Sequence, residues 1–92
     1  MEELIELGFR EKYAENAEQA ATCFFQALKK DPAPDLACSL IMECFGLWST
    51  LGKRDVALNE LQTYIQKYIL LFNKDIRFQF YAWMMKENIQ II

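Results

Sequence analysis

The chain has 92 residues, of which 53% are hydrophobic and 14% aromatic, and its formal net charge is −3. This length allows one domain at most. The aromatic content excludes a disordered tail, and 3 glycines and 2 prolines are too few for a turn-rich β-sandwich or barrel. An acidic chain without a basic stripe is not expected to bind nucleic acid. In so short a chain, some large apolar side chains are expected to stay exposed unless a partner covers them.

The chain shows no targeting or membrane-spanning pattern. Residues 1–4 lack the basic and apolar regions of a signal peptide, and the most apolar stretch, residues 68–72, is too short to cross a bilayer. We therefore expect a cytoplasmic protein without membrane insertion. Acidic residues are concentrated near the start, and they form either a solvated helix face or a docking surface for a basic segment. They are Glu2, Glu3, Glu6, Glu11, Glu15 and Glu18.

No catalytic motif is present. Without histidine, the serines and cysteines lack a partner for a catalytic triad, and there is no glycine-rich phosphate loop. Glu43 and Asp55 are single acids that suit surface or capping positions. Cys23, Cys38 and Cys44 lack metal-site spacing, which predicts buried free thiols in a reducing compartment. We predict no enzyme activity, no cofactor and no metal.

The first part of the chain has the pattern of two helices. Residues 3–13 place apolar side chains on adjoining turns and predict a first helix. Asn16 followed by Gln19 predicts a capping box for a second helix, with Lys29 and Lys30 in its last turn. Two prolines then predict a break.

Three further helices are predicted after this break. Asp35 and Asp55 are predicted to cap a third and a fourth helix, and Gly52 to follow the third helix with positive φ. A fifth helix is predicted from residue 76 to about residue 87, followed by an apolar tail over residues 89–92.

The two helix pairs repeat one pattern. In the first pair, small and large residues have the spacing of the tetratricopeptide repeat, which the chain resembles; they are Leu7, Gly8, Ala20, Phe24, Ala27 and Pro32. Leu4 and Glu11 depart from the pattern, and in the second pair Phe45 replaces a small residue. The resemblance implies one all-α domain over residues 1–92, built of tetratricopeptide-like helical hairpins with about five antiparallel helices. An ordinary helical bundle with chance spacing is the alternative.

In tetratricopeptide geometry, the first helix of each pair lines a concave groove that takes a helix or an extended peptide. By register, the lining would be Ile5, Phe9, Lys12 and Tyr13 from the first pair and Met42, Gly46, Ser49 and Thr50 from the second. This lining suits an apolar helix better than an acidic peptide tail, since it has no cluster of lysine and arginine.

The fifth helix is apolar almost all round. Either it is sandwiched within this chain or a second protein covers its far side, and the size of the chain favours a second protein. Its candidate contact residues are Phe78, Tyr81, Trp83 and Met85.

The C-terminal part also resembles the small tetratricopeptide-like chaperones of type III secretion needle subunits. The residues that carry this resemblance are Asp75, Arg77, Phe78, Tyr81, Met85, Lys86 and Glu87, with Leu51, Gly52, Ala57, Leu58 and Leu61 upstream. The family implies a cytoplasmic chaperone that acts with a small helical co-chaperone. Together they would hold the needle subunit as a monomer, with its C-terminal amphipathic helix in the groove.

Two other functions stay open. The first helix pair, with its proline-containing turn, also resembles the cytosolic domain of a mitochondrial import receptor. That receptor is membrane-anchored, so this chain would be an excised domain of it. The third hypothesis is a structural subunit of a larger helical assembly without a client.

Overall fold

Five α-helices make up the computed structural model, which describes residues 1–90. They are α1 (Glu2–Tyr13), α2 (Ala17–Leu28), α3 (Pro34–Thr50), α4 (Arg54–Ile69) and α5 (Lys74–Lys86). Each of the first three helices packs against the next, so α1–α2 and α3–α4 form successive antiparallel hairpins. The described residues contain no strand. The predicted all-α fold of helical hairpins is confirmed.

The first hairpin closes on a contact between a glycine and an aromatic ring. Gly8 is buried in α1, and a Cβ added to it would lie 2.7 Å from Cε1 of Phe24 in α2. Phe24 is fully buried, as are Ala20 and Ala27 on either side of it. The small residues predicted from the repeat spacing therefore lie where α1 and α2 approach each other closely.

Helix α3 is the centre of the core. It packs against α2, α4 and α5, and eight of its 17 residues are buried. The ring of Phe25 in α2 meets Trp48 of α3 edge-on at 5.4 Å and Tyr64 of α4 at 5.6 Å. Such aromatic pairs contribute about 0.5–1.5 kcal/mol beyond their buried area. This cluster joins the two hairpins into one body.

Three predicted helix caps are wrong. Asn16 precedes α2, but its amide donates to Glu11 Oε2 at 2.8 Å and makes no cap hydrogen bond. Helix α3 begins at Pro34, a residue favoured at the first helical position, which places Asp35 inside the first turn. Asp55 likewise lies inside the first turn of α4. Both carboxylates still interact favourably with the helix dipole.

The ends of the other helices differ by a few residues from the prediction. Helix α2 ends before Lys29. Helix α5 begins at Lys74, since Asn73 Oδ1 accepts a hydrogen bond from the Ile76 amide at 2.9 Å. Gly52 has a φ of 72°, as predicted for the residue after α3. Of the predicted apolar tail, Ile89 is buried, and residues 91–92 lie outside the described residues.

A hydrogen-bonded carboxylate ties α4 to the α2–α3 turn. Asp31 Oδ1 accepts from the Tyr68 hydroxyl at 2.9 Å and from Lys67 Nζ at 2.7 Å, while the Tyr68 hydroxyl also lies 3.2 Å from the Pro32 carbonyl. The hydrogen bond from Lys67, followed by that from Tyr68, lowers the pKa of Asp31. Burial, with the Asp31 carboxylate as the next cause, raises the pKa of Tyr68 to about 12.

The Gly8 contact predicts opposite effects of one substitution at two helical glycines. Gly8→Ala forces a Cβ against the buried Phe24 ring, and we expect it to lower the free energy of unfolding by about 1–3 kcal/mol in urea titrations. At exposed Gly46 in α3, an added Cβ has no neighbour within 4 Å. Gly46→Ala should therefore raise the free energy of unfolding by about 0.5–1 kcal/mol. Equal effects at both positions would contradict the contact.

The Tyr68 bond predicts a dependence of stability on alkaline pH. Tyr68→Phe should lower the free energy of unfolding by about 1 kcal/mol at neutral pH, because Asp31 and Pro32 lose a hydrogen-bond donor. Because the pKa of Tyr68 is higher in the native state than in the unfolded state, its contribution to stability is fully present below the unfolded pKa of about 10. This contribution is lost as pH rises toward 12. The difference in free energy of unfolding between the native protein and Tyr68→Phe should therefore shrink from about pH 10 to about pH 12. A difference that stays constant over this pH range would contradict the prediction.

Candidate partner-binding surfaces

A groove lies between α1 and α3. Both helices run antiparallel to α2, so they run parallel to each other. At the C-terminal end of α1 the groove holds a depression of about 240 Å³. Its lining is Lys12, Met42, Glu43, Gly46, Leu47 and Thr50. Four of these were predicted to line the groove, whereas Glu43 and Leu47 were not.

An ion pair spans the groove from α1 to α3. Lys12 Nζ lies 2.8 Å from Glu43 Oε2 and 3.2 Å from Oε1. Both side chains are about one-third exposed, so solvent screening limits the pair to about 0–1 kcal/mol. The pair therefore links α1 to α3 but adds little to the stability of the fold. This contact of Glu43 could not be predicted, because residues so far apart in sequence leave no local pattern.

The other predicted groove residues divide into exposed aromatic rings and residues turned toward the core. Phe9 meets Phe24 edge-on at 5.0 Å and stacks on Tyr13 at 6.4 Å, and the Tyr13 side chain is 80% exposed. Ile5 is partly buried against the core. Ser49 does not line the depression; its hydroxyl oxygen is buried and has no hydrogen-bond partner among the described residues. Neither Phe9 nor Tyr13 lines the depression; the two rings form an exposed aromatic pair on α1.

Gly46 leaves the depression with a floor of bare backbone. It lies within α3, is exposed, and has ordinary helical backbone angles. A glycine within a helix costs about 0.5–1 kcal/mol relative to alanine. No neighbour lies within 4 Å of an added Cβ, so packing within the chain does not require glycine here. The missing side chain serves only to keep the depression open.

Helix α5 has one packed and one open face. Phe80 and Met84 are buried, whereas Phe78, Tyr81 and Met85 are 75%, 48% and 79% exposed. The spacing of these three residues places them on one side of the helix, which we call the α5 stripe. The stripe is not sandwiched within the described chain.

Trp83 was predicted to bind a partner, but the structure places most of it in the core. Its ring meets Phe45 of α3 edge-on at 5.4 Å and lies 5.3 Å from Phe80. The indole is only partly exposed. Trp83 therefore attaches α5 to α3 and does not belong to the α5 stripe.

Two arginines hold α5 against α4 at opposite ends. Arg77 donates from Nε to the Ile69 carbonyl at 3.2 Å and from Nη2 to the Phe72 carbonyl at 3.1 Å, at the end of α4. Arg54 Nη2 donates to the Glu87 carbonyl at 2.7 Å, at the end of α5. Each guanidinium supplies donors to carbonyl groups that a helix C-terminus leaves without partners. The sequence analysis missed both contacts, since neither follows a local pattern.

The three cysteines are free and buried, as predicted. Burial, with the Glu43 carboxylate as a second cause, raises the pKa of Cys44 to about 12. Burial also raises the pKa of Cys23 and of Cys38. These thiols stay protonated near neutral pH, so they are poor nucleophiles.

Within residues 1–90, no group of three potential ligands among histidine, cysteine, aspartate and glutamate could hold a metal ion. No helix there is long and apolar enough to span a membrane.

Comparison with protein-family models, curated proteins and solved structures found no match to this chain.

The arginine contacts predict how α5 is held. Arg77→Ala removes donors from the α4 carbonyl groups, and we expect it to lower the free energy of unfolding by about 1.5–3 kcal/mol. Amide hydrogen exchange should accelerate most in α5. Arg10→Ala is a suitable control, because Arg10 is exposed and makes only a 3.7 Å ion pair with Glu6. A loss in Arg77→Ala no larger than in this control would refute the anchoring role.

Proposed function

We propose that this protein is a chaperone that covers an amphipathic helix of a client protein in the α1–α3 groove. A small helical co-chaperone docks on the α5 stripe. The resemblance of the C-terminal helices supports a type III secretion needle subunit as the client, which would be held as a monomer in the bacterial cytoplasm. The observation that carries the proposal is the exposure of apolar side chains on both α1 and α5 of one 92-residue chain.

The residues that carry the family resemblance fall into two groups in the structure. Phe78, Tyr81 and Met85 form the open stripe, and they contribute little to the core. Arg77 holds the helix that presents them. Aromatic residues and methionine are enriched in protein interfaces and adapt well to a partner. This division supports a docking surface on a fixed helix.

The groove supports the other half of the proposal. A subunit that polymerises through helix packing must have its apolar face covered before assembly. Met42 lines the depression from α3, Phe9 is an exposed apolar side chain of α1, and Gly46 allows a helix to approach closely. A helix in a groove is a recurring mode of peptide recognition.

The first hairpin supports a second candidate, a peptide receptor of the mitochondrial import type. The contact between Gly8 and Phe24 is what the repeat spacing of such a hairpin requires. This receptor would use the groove alone, whereas the chaperone uses the groove and the α5 stripe.

Co-expression with the client and the co-chaperone separates these functions. We expect a ternary complex by size-exclusion chromatography with light scattering. Phe9→Glu with Met42→Glu should release the client and retain the co-chaperone, because a buried unpaired charge costs several kcal/mol. Phe78→Glu with Tyr81→Glu should release the co-chaperone.

Matched controls are Gln26→Glu and Gln62→Glu, which add a carboxylate at exposed positions of α2 and α4. Circular dichroism must show all variants folded. The chaperone function fails if the chain alone is monomeric and binds no needle subunit. If the variant with Phe9→Glu and Met42→Glu still binds the client, the groove is not the client-binding site.

A further inference from the structure

The α5 stripe has a depression near one end and a projecting side chain near the other. At the N-terminal end of α5, an open depression of about 400 Å³ is lined by Lys74, Asp75, Phe78 and Gln79. Toward the C-terminal end, the Met85 side chain is 79% exposed. Met85 lies two turns after Phe78 on the same side of α5. Because a methionine side chain is flexible and fills irregular gaps, the chain presents both a projection and a depression that can receive it.

Opposite charges flank the stripe at the two ends of α5. Asp75 lies in the first turn and Lys86 in the last turn, and both are exposed. They are about three turns apart, so they lie on the same flank of the helix. Neither makes an ion pair or a side-chain hydrogen bond with another described residue. Each charge is therefore available to a partner that brings the opposite charge to its end of the helix.

The two ends are complementary to each other when two copies of α5 pair antiparallel. About a two-fold axis through the middle of the helix, Met85 of one copy meets the depression beside Phe78 of the other. On the flank of the stripe, Asp75 of one copy faces Lys86 of the other. Each contact occurs twice, because a two-fold interface is isologous. A parallel pairing would place Asp75 against Asp75 and Lys86 against Lys86, which is unfavourable.

The middle of α5 also fits an antiparallel pair. Ala82 is exposed, and its small side chain leaves room for the Phe78 ring of the second copy. The two Tyr81 rings lie beside the two-fold axis, and tyrosine is enriched in protein interfaces. Phe80 and Met84 stay buried within their own chain, on the other side of the helix. Pairing therefore requires no change in how α5 packs on its own core.

We propose that the α5 stripe is the interface of a homodimer, formed by antiparallel pairing of α5 with α5 of a second copy of this chain. This inference goes beyond the proposed function, since the co-chaperone would use the same stripe and would have to displace the second copy. The contact involves one helix about 20 Å long, which places it among small, weak interfaces. We therefore expect a dissociation constant on the order of 10 µM.

Sedimentation velocity on the full chain alone tests the homodimer. Between about 1 and about 300 µM, the average mass should rise from that of one chain toward that of two. Phe78→Glu should weaken dimerisation about 100-fold or more, because it buries two unpaired carboxylates in the interface. Tyr13→Glu makes the same kind of change at an 80% exposed aromatic residue of α1 and should leave the dimer unchanged.

A charge exchange tests the predicted ion pair. Asp75→Lys places a lysine opposite Lys86 and should weaken dimerisation about tenfold. Adding Lys86→Glu to this variant brings opposite charges together again and should return the affinity to within about threefold of the native value. Both changes oppose the helix dipole, so a merely structural effect would grow in the double variant and would not be rescued. Glu3→Lys, at an exposed first-turn acid of α1, is the matched control.

Thiol cross-linking tests the orientation of the two helices. A mixture of Asp75→Cys and Lys86→Cys chains should cross-link with a short bismaleimide, whereas each variant alone should not. Like residues lie about 16 Å apart along the axis of an antiparallel pair. The three native cysteines are buried, and urea-free conditions keep them from reacting.

The inference is overturned if the chain alone stays monomeric at about 300 µM, or if Phe78→Glu dimerises like the native protein. It is also overturned if Asp75→Cys chains cross-link to each other as efficiently as they do to Lys86→Cys chains. None of these outcomes decides the proposed function, which the co-expression experiment tests separately. A chain that dimerises through α5 and binds no needle subunit supports the inference and refutes the proposed function.

Discussion

The position of α1, and with it one wall of the groove, depends on the contact between Gly8 and the ring of Phe24. Gly8 is the only fully buried residue of α1, so this helix attaches through backbone proximity more than through large side chains. The same ring supports Phe9, which is an exposed side chain of α1. Packing of the first hairpin therefore depends on one aromatic side chain.

The apolar excess of the sequence is explained by how α5 is attached. Phe80 and Trp83 join it to the core by aromatic contacts, while Arg54 and Arg77 supply hydrogen bonds at its two ends. This attachment uses one face of the helix and leaves the α5 stripe open. Part of the exposed apolar area thus lies on one face of α5, as expected for an interface.

Local patterns in the sequence predicted the helices and the small residues at the α1–α2 contact, because periodicity and repeat spacing are local properties. They predicted the caps poorly. The Asn16 amide donates to Glu11 instead of capping α2, and α3 begins at Pro34, which places Asp35 inside the helix. For the groove, register correctly placed Gly46 in the lining but not Ser49, which is turned toward the core. The contacts of Glu43 and Arg77 could not be predicted, because they depend on how separate elements meet.

Adjacent residues of α3 support the groove and the helix that carries the α5 stripe. Phe45 packs against Trp83 of α5, and Gly46 opens into the groove. A single helix therefore supports both surfaces, with its backbone fixed by contacts to α2 and α4. Coupling between two binding sites requires an element with two arrangements that both ligands bias. A buried helix packed on several sides provides rigidity instead, so partners on the groove and on the α5 stripe should bind with nearly additive free energies.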